Sequence, residues 1–248
     1  MRHRLAVWGI RLGLVVAILG CWLYMTGPGD VSPLLLPKLG LVGDQLGSIL
    51  TSGELWRDVG ITVVEFVAAF LIACVVGVAL GFACSRTELR YRVTEPLVAW
   101  GYMVPLVLFY PLFIVWFDIG MASKIAYGAL SGFFPIAFNS LRGFRAVDPR
   151  YMRVAQAFGA TPGQSDRQVK LPAAMPMVMS GIRIGGALCM ITVILAEMLA
   201  STQGLGYELA RASQTLKVPS VYAHIAVLLC FVALVQILIN RLGKTRFS

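Results

Sequence analysis

The sequence predicts an all-α integral membrane protein with six transmembrane helices, and three observations carry that expectation. Of its 248 residues, 58% are hydrophobic and only 13% charged, against about 25% charged in soluble domains. Six segments are apolar over about 20 residues, the length a helix rising ~1.5 Å per residue needs to cross a hydrocarbon core of roughly 30 Å. The basic residues fall between these segments. The net charge of +9 therefore reports orientation in a lipid membrane and not nucleic-acid binding, which would gather positive charge on one face with interleaved aromatics.

The first span runs from Leu5 to Met25. Arg2 and Arg4 ahead of it and Cys21 within it give it the look of a signal peptide. However, Trp22, Leu23 and Tyr24 follow Cys21, and the apolar run exceeds the ~7–15 residues of a signal core, so an uncleaved span is expected. Residues 26–60 form an extracytoplasmic connection. In it Val42, Leu46, Ile49 and Leu50 recur at helical spacing opposite Asp44, Gln45 and Ser48, which predicts a short amphipathic surface helix.

Span two, Ile61 to Ser85, carries Glu65 near its outer end, where it reads as interfacial. Gly77 and Gly81 allow another helix to approach closely, in a dimer or within the chain. Span three, Pro96 to Phe117, contains Pro96, Pro105 and Pro111, so its backbone should bend and free some carbonyls. Met103 and Pro105 are pathway candidates for that reason. Span four, Ser123 to Leu141, offers Asn139 as a polar candidate near its inner end. Span five, Ala173 to Ala200, places Glu197 near the outer end, and an ionisable group at that depth is a functional candidate whose alternative is a structural carboxylate bonded to a neighbouring helix. Arg183, deeper in the same span, either attracts an anion or pairs and snorkels. Span six is Val218 to Asn240, followed by a tail at 241–248. Residues 61–240 thus read as a five-helix core interrupted by a cytoplasmic segment at 142–171.

Placing both termini in the cytoplasm puts sixteen of the 21 Lys and Arg residues on that side, the asymmetry that orients helical membrane proteins. Catalysis and metal binding have little to draw on. Cys21, Cys74, Cys84, Cys189 and Cys230 all lie in apolar stretches without a CxxC pair, and His3 and His224 stand far apart. The sequence has no HExxH, no GxSxG and no P-loop GxxxxGK[ST], so energy for transport has to enter from elsewhere. A transporter or channel working alone is the competing class, although intramembrane acids for proton or sodium coupling are scarce.

The segment from Arg142 to Leu171 is unlike a passive linker. Asp148 and Pro149 signal a helix start, Gly159 can end that helix, and Thr161 with Pro162 can start another, giving two short helices joined at a glycine. Permeases of bacterial ATP-binding-cassette (ABC) importers share a cytoplasmic pattern of Glu, Ala, Ala, three residues, Gly, nine residues, Ile, any residue, Leu, Pro. This chain resembles it at Ala155, Gly159, Val169, Leu171 and Pro172 with the full spacing, and departs from it at Arg153 and Val154. Losing the acidic residue removes any salt bridge that residue would make. Further blocks, among them Gly77 to Gly81, Pro105 to Phe117, Phe133 to Asn139, and Ala196 to Met198 ahead of Gly204, extend the resemblance to the nitrate, sulfonate and taurine type.

The resemblance implies a type I importer permease (MetI-like) fold in a bacterial inner membrane. It also implies a second permease chain, in the expected homodimer, a cytoplasmic ATPase dimer that uses ATP and Mg, and an extracytoplasmic solute-binding protein. No cofactor would be bound by this chain. On this reading Ala155, Ala157, Gly159, Ala160 and Gly163 dock in a cleft on the ATPase, and Leu171 with Pro172 pass the motion to span five.

Overall fold

A computed structural model describes residues 2–244, and side-chain surroundings for residues 9–241. Arg2, His3, Arg4, Lys244 and Arg246 lie outside the residues whose side chains are described, as does nearly all of the 241–248 tail. The described chain is helical throughout, with no strand.

Helix α1 (Arg2–Thr26) stands apart from the rest along most of its length. It is tied near its C-terminal end, where Trp22 Nε1 donates to the Pro37 carbonyl (3.0 Å) and the indole meets Tyr222 edge-on at 5.2 Å. Helix α2 (Leu39–Thr51) is the expected amphipathic helix, packed against the last helix through a cluster that includes Ile49, Leu55 and Leu228. Helix α3 (Gly53–Cys84) starts well before the apolar run, because the Ser52 hydroxyl accepts from the Leu55 N–H and caps it. The polar stretch Glu54 to Asp58 is therefore helix, not loop.

Span three is not one helix. Helix α4 (Glu88–Met103) stops at Val104, a 3-10 turn covers Leu106–Phe109, and helix α5 (Tyr110–Phe117) leaves at 82° to α4. The cause is Pro105: it lacks an N–H and pushes the preceding residue out of the helical region, and Val104 sits at φ −68°, ψ 129°. Pro111 falls in the first turn of α5, where a missing N–H costs nothing.

Helix α6 (Met121–Arg145) runs between α3 and α9 (Leu171–Leu199). The α3–α6 contact depends on small residues. A Cβ on Gly81 would lie 2.5 Å from the Ser140 Cβ, and one on Gly77 2.9 Å from Ile136, so these glycines serve packing within the chain. Gly81→Ala is expected to lower stability by about 1–3 kcal/mol through overpacking, measured by thermal unfolding in detergent. Phe66, Met190, Val193 and Ile239 complete the main core.

The segment at 142–171 comprises α7 (Pro149–Ala157), α8 (Pro162–Ser165) and a π turn at Asp166–Lys170 that runs straight into α9. The two short helices expected on either side of Gly159 are α7 and α8, and α8 continues through the π turn into the 38-residue run Pro162–Leu199. Pro172 explains the π turn. It supplies no N–H and crowds the carbonyl four residues back, so the helix widens and Leu171 N–H reaches Asp166. Beyond α9, α10 (Leu205–Gln214) is a short helix that the sequence pattern did not announce, and α11 (Val218–Lys244) is the last helix described.

Among the described residues, four helices are long and apolar enough to cross a membrane, and the bent α4–α5 pair makes a fifth. Helix α6 does not meet the same standard. Its Ser123, Lys124, Ser131 and Ser140 are buried against other helices instead of facing lipid, so its composition reflects its protein neighbours.

Candidate functional site

The break in span three borders a cavity of about 230 Å³. Val104, Pro105 and Leu106 form one wall; Tyr127, Ser131 and Phe134 of α6 form the second, and Leu188, Thr192 and Leu195 of α9 the third. Tyr127 is held by ring contacts with Tyr110 (5.0 Å) and Phe113 (5.7 Å). Tyr110 donates its hydroxyl to the Ala196 carbonyl (3.2 Å), and Thr192 donates to its own helix at Leu188 (2.9 Å). The Tyr127 and Ser131 hydroxyls are buried and find no hydrogen-bond partner.

Of the four pathway candidates, Pro105 lines this cavity. Met103 sits at the break but is 78% exposed and outside the lining. Asn139 lies further along α6, donating its amide to the Pro135 carbonyl (2.8 Å) and packing on Gly181. Arg183 is half-buried, with its Nε lacking a hydrogen-bond partner among the described residues.

Glu197 belongs to a separate, buried cluster where the C-terminal end of α9 meets the N-terminal parts of α3 and α6. Its Oε1 accepts from Thr62 (2.6 Å) and its Oε2 from the Gly206 N–H (2.8 Å). Thr62 accepts from the Leu205 N–H (3.1 Å), and Asp58 accepts from the Gly204 N–H (2.9 Å). Two carboxylates thus cap the N-terminus of α10, where orphan N–H groups and the helix dipole favour negative charge. Alongside, Lys124 pairs with Glu65 and donates to Ser201 (2.9 Å). Glu65 is completely buried, which overturns its reading as interfacial. Because α3 begins at Gly53, Glu65 lies three turns inside the helix and needs a cation opposite. Gly204 has φ +109°, and a Cβ there would run into the Glu197 carboxylate. Gly204→Ala is therefore expected to cost about 2 kcal/mol or more, by strain and by displacing the carboxylate, and a lowered melting temperature checks it.

At the opposite end of the bundle α7 ends in a Schellman motif, with Ala160 N–H on the Ala155 carbonyl (3.0 Å), Gly159 N–H on Gln156 (2.9 Å), and Gly159 at φ +81°. Thr161 and Gln164 then form a capping box. Between the two helices opens a hollow of about 420 Å³ bordered by Ala155, Gly159, Ala160 and Gln164. Ala157 and Gly163 are exposed, whereas Leu171 and Pro172 lie in the continuing helix. The sequence reading passed over Phe158, an aromatic 88% exposed beside Gly159; a large apolar residue directly before a helix-ending glycine was the available signal. Arg153 is exposed, and the ion pair that fastens this segment is instead Arg86–Asp166 (2.9 Å).

A helical bundle with a broken span beside a cavity, and a capped helix pair at one end, is the architecture of a membrane permease. Residues 73–246 match the family described as the binding-protein-dependent transport system inner membrane component, and the chain belongs to that family. It is 29% identical to the taurine transport system permease TauC of Escherichia coli, covering 95% of this chain and 87% of that one. It is 30% identical to the putative aliphatic sulfonates transport permease SsuC of Bacillus subtilis, covering 89% and 80%. The fold is shared with the MetNI methionine ABC transporter in inward-facing form (TM-score 0.58, 21% identity, covering 77% of this chain and 93% of that one). It is also shared with a bacterial importer of the acidic polysaccharide alginate (TM-score 0.67, 11% identity, covering 100% and 98%). The chain is thus an ABC importer permease of the nitrate, sulfonate and taurine type, a multi-pass inner-membrane subunit that is not itself an enzyme.

Proposed function

We propose that the chain forms, as a homodimer, the pathway for a small sulfonate or taurine-like solute, and that a partner ATPase dimer using ATP and Mg drives it by pressing on Pro149–Ser165. An extracytoplasmic binding protein would deliver the solute. In this arrangement α6 is the fourth of six spans, both termini are cytoplasmic, and the exposed apolar surface of α1 faces lipid or the second permease chain.

The observation that carries the reading is the unbroken helix Pro162–Leu199. At about 1.5 Å per residue it is about 57 Å long. It starts at the cytoplasmic hollow, walls the cavity through Leu188, Thr192 and Leu195, and ends at the Glu197 cluster that holds the outer loop. Motion of its cytoplasmic end is transmitted as a rigid body to the cavity and to the outer mouth, because a packed helix tilts or shifts rather than compresses. The sulfonate preference rests on the similarity to taurine and aliphatic sulfonate transport permeases.

Thr192→Trp should fill the cavity and abolish ATP-driven uptake in proteoliposomes while leaving ATPase association intact. Full uptake by that variant would remove the cavity from the pathway.

A further inference from the structure

A second hollow, of about 180 Å³, opens where α2, α3, α10 and α11 meet, away from the broken span. Three carboxylates, Glu54, Asp58 and Glu208, border it together with the ring of His224. Two of these four side chains are at least nine-tenths buried, Asp58 at 8% and His224 at 9% exposure.

The imidazole is fixed by its own helix. Nδ1 lies 2.8 Å from the Ser220 carbonyl, which only accepts, so Nδ1 carries the proton and neutral His224 keeps its lone pair on Nε2. Nε2 has no hydrogen-bond partner among the described residues. Asp58 is likewise engaged on one side only: Oδ1 accepts from the Gly204 N–H (2.9 Å), and Oδ2 accepts from no described residue. Buried acceptors are ordinarily satisfied, and here two half-engaged ones border the same hollow.

The nearby positive charges do not meet this need. Arg57 donates to Gln203 (2.7 Å), Arg211 pairs with Glu208 (3.0 Å), and no cation among the described residues pairs with Glu54 or Asp58. A metal ion does not fit either, since no three His, Cys, Asp or Glu side chains among the described residues come close enough to share one. Acceptors spread around a hollow suit instead a positive group with several N–H donors. Ile49, Leu55 and Leu205 supply apolar wall, against which an aliphatic stem can lie.

We infer that this hollow is a binding site for an alkylammonium or alkylguanidinium group, whose N–H groups donate to His224 Nε2, Asp58 Oδ2 and Glu54 while its stem covers Leu55 and Leu205. The site lies apart from the broken-span cavity and does not depend on the solute that the permease carries. On the orientation proposed above it opens on the extracytoplasmic side, so the group belongs either to a free amine or to a lysine or arginine of the extracytoplasmic binding protein. Occupancy bears on the long helix through Asp58, which also holds Gly204, two residues before the Gly206 N–H that Glu197 accepts at the end of α9.

The test uses the full chain with His3→Gln, reconstituted with its ATPase in phosphatidylcholine nanodiscs, whose headgroup has no N–H to compete. His224 is then the one histidine of the chain, and its ring nitrogens are isotope-labelled and followed by NMR at a pH where imidazole is neutral. Butylguanidinium is the probe, and butyltrimethylammonium, of equal charge without an N–H, is the control. Butylguanidinium should move the Nε2 resonance saturably towards that of a hydrogen-bonded acceptor, and the control should not. Asp58→Asn keeps an acceptor for the Gly204 N–H but drops the charge, and should weaken binding about tenfold. Glu54→Gln, on the exposed rim, should weaken it about threefold with the melting temperature unchanged. An equal response to the control would mean unspecific attraction of positive charge and overturn the inference. So would no saturable response to butylguanidinium, binding unchanged in both variants, or a response to zinc ion alone. Once binding is seen, the binding protein separates the sources: displacement of butylguanidinium by it assigns the site to a basic side chain of that protein, and a probe left in place assigns it to a free amine.

Discussion

Lys124→Met is expected to destabilise the protein by about 3–5 kcal/mol, because it leaves the buried Glu65 carboxylate without its cation. Lys124 and Glu65 have 4% and 1% side-chain exposure, so no solvent screens the loss. The partner variant decides whether charge is the cause. Glu65→Met together with Lys124→Met removes both charges, and the double variant should recover most of the lost stability, since a buried pair and an apolar pair of similar volume are often close in energy. Thermal unfolding of the four proteins in detergent supplies the cycle. If the double variant were as unstable as Lys124→Met, the site would depend on packing or on the Lys124–Ser201 bond, not on the ion pair.

Phe158→Ala is expected to weaken association with the ATPase by about 2 kcal/mol or more, roughly thirtyfold, while leaving the fold intact. The side chain is 88% exposed and supports nothing within the chain, yet it stands on the rim of the hollow between α7 and α8. Exposed aromatics set beside a pocket are typical anchors of interfaces. Pull-down of the ATPase with unchanged melting temperature would carry the prediction, and undiminished pull-down would move the docking point elsewhere. Gly159→Trp should abolish association outright, since φ +81° strains any side chain and the indole would block the approach.

How much of this was legible depends on which physical signal each part leaves in the sequence. The long apolar helices and the amphipathic α2 announce themselves by composition and period, because each meets lipid or one protein face. The turn at Gly159 and Thr161 was readable because capping chemistry is local. The break at Pro105 was half-readable. A bend follows from proline, but the 82° angle depends on what the two halves pack against. Helix α10 and the buried state of Glu65 were not readable, since both depend on residues distant in sequence: Asp58 and Glu197 meeting Gly204–Gly206, and Lys124 facing Glu65. The continuity of α8 with α9 was hidden by Pro172, which ordinarily marks a helix start and here is accommodated by a π turn.

The most direct measurement is solute accumulation by proteoliposomes holding the chain, ATP and the loaded binding protein, with and without the partner ATPase. Uptake should appear only when the ATPase is present, and Phe158→Ala should reduce it. Accumulation by the chain alone would contradict a pathway driven through the helix Pro162–Leu199.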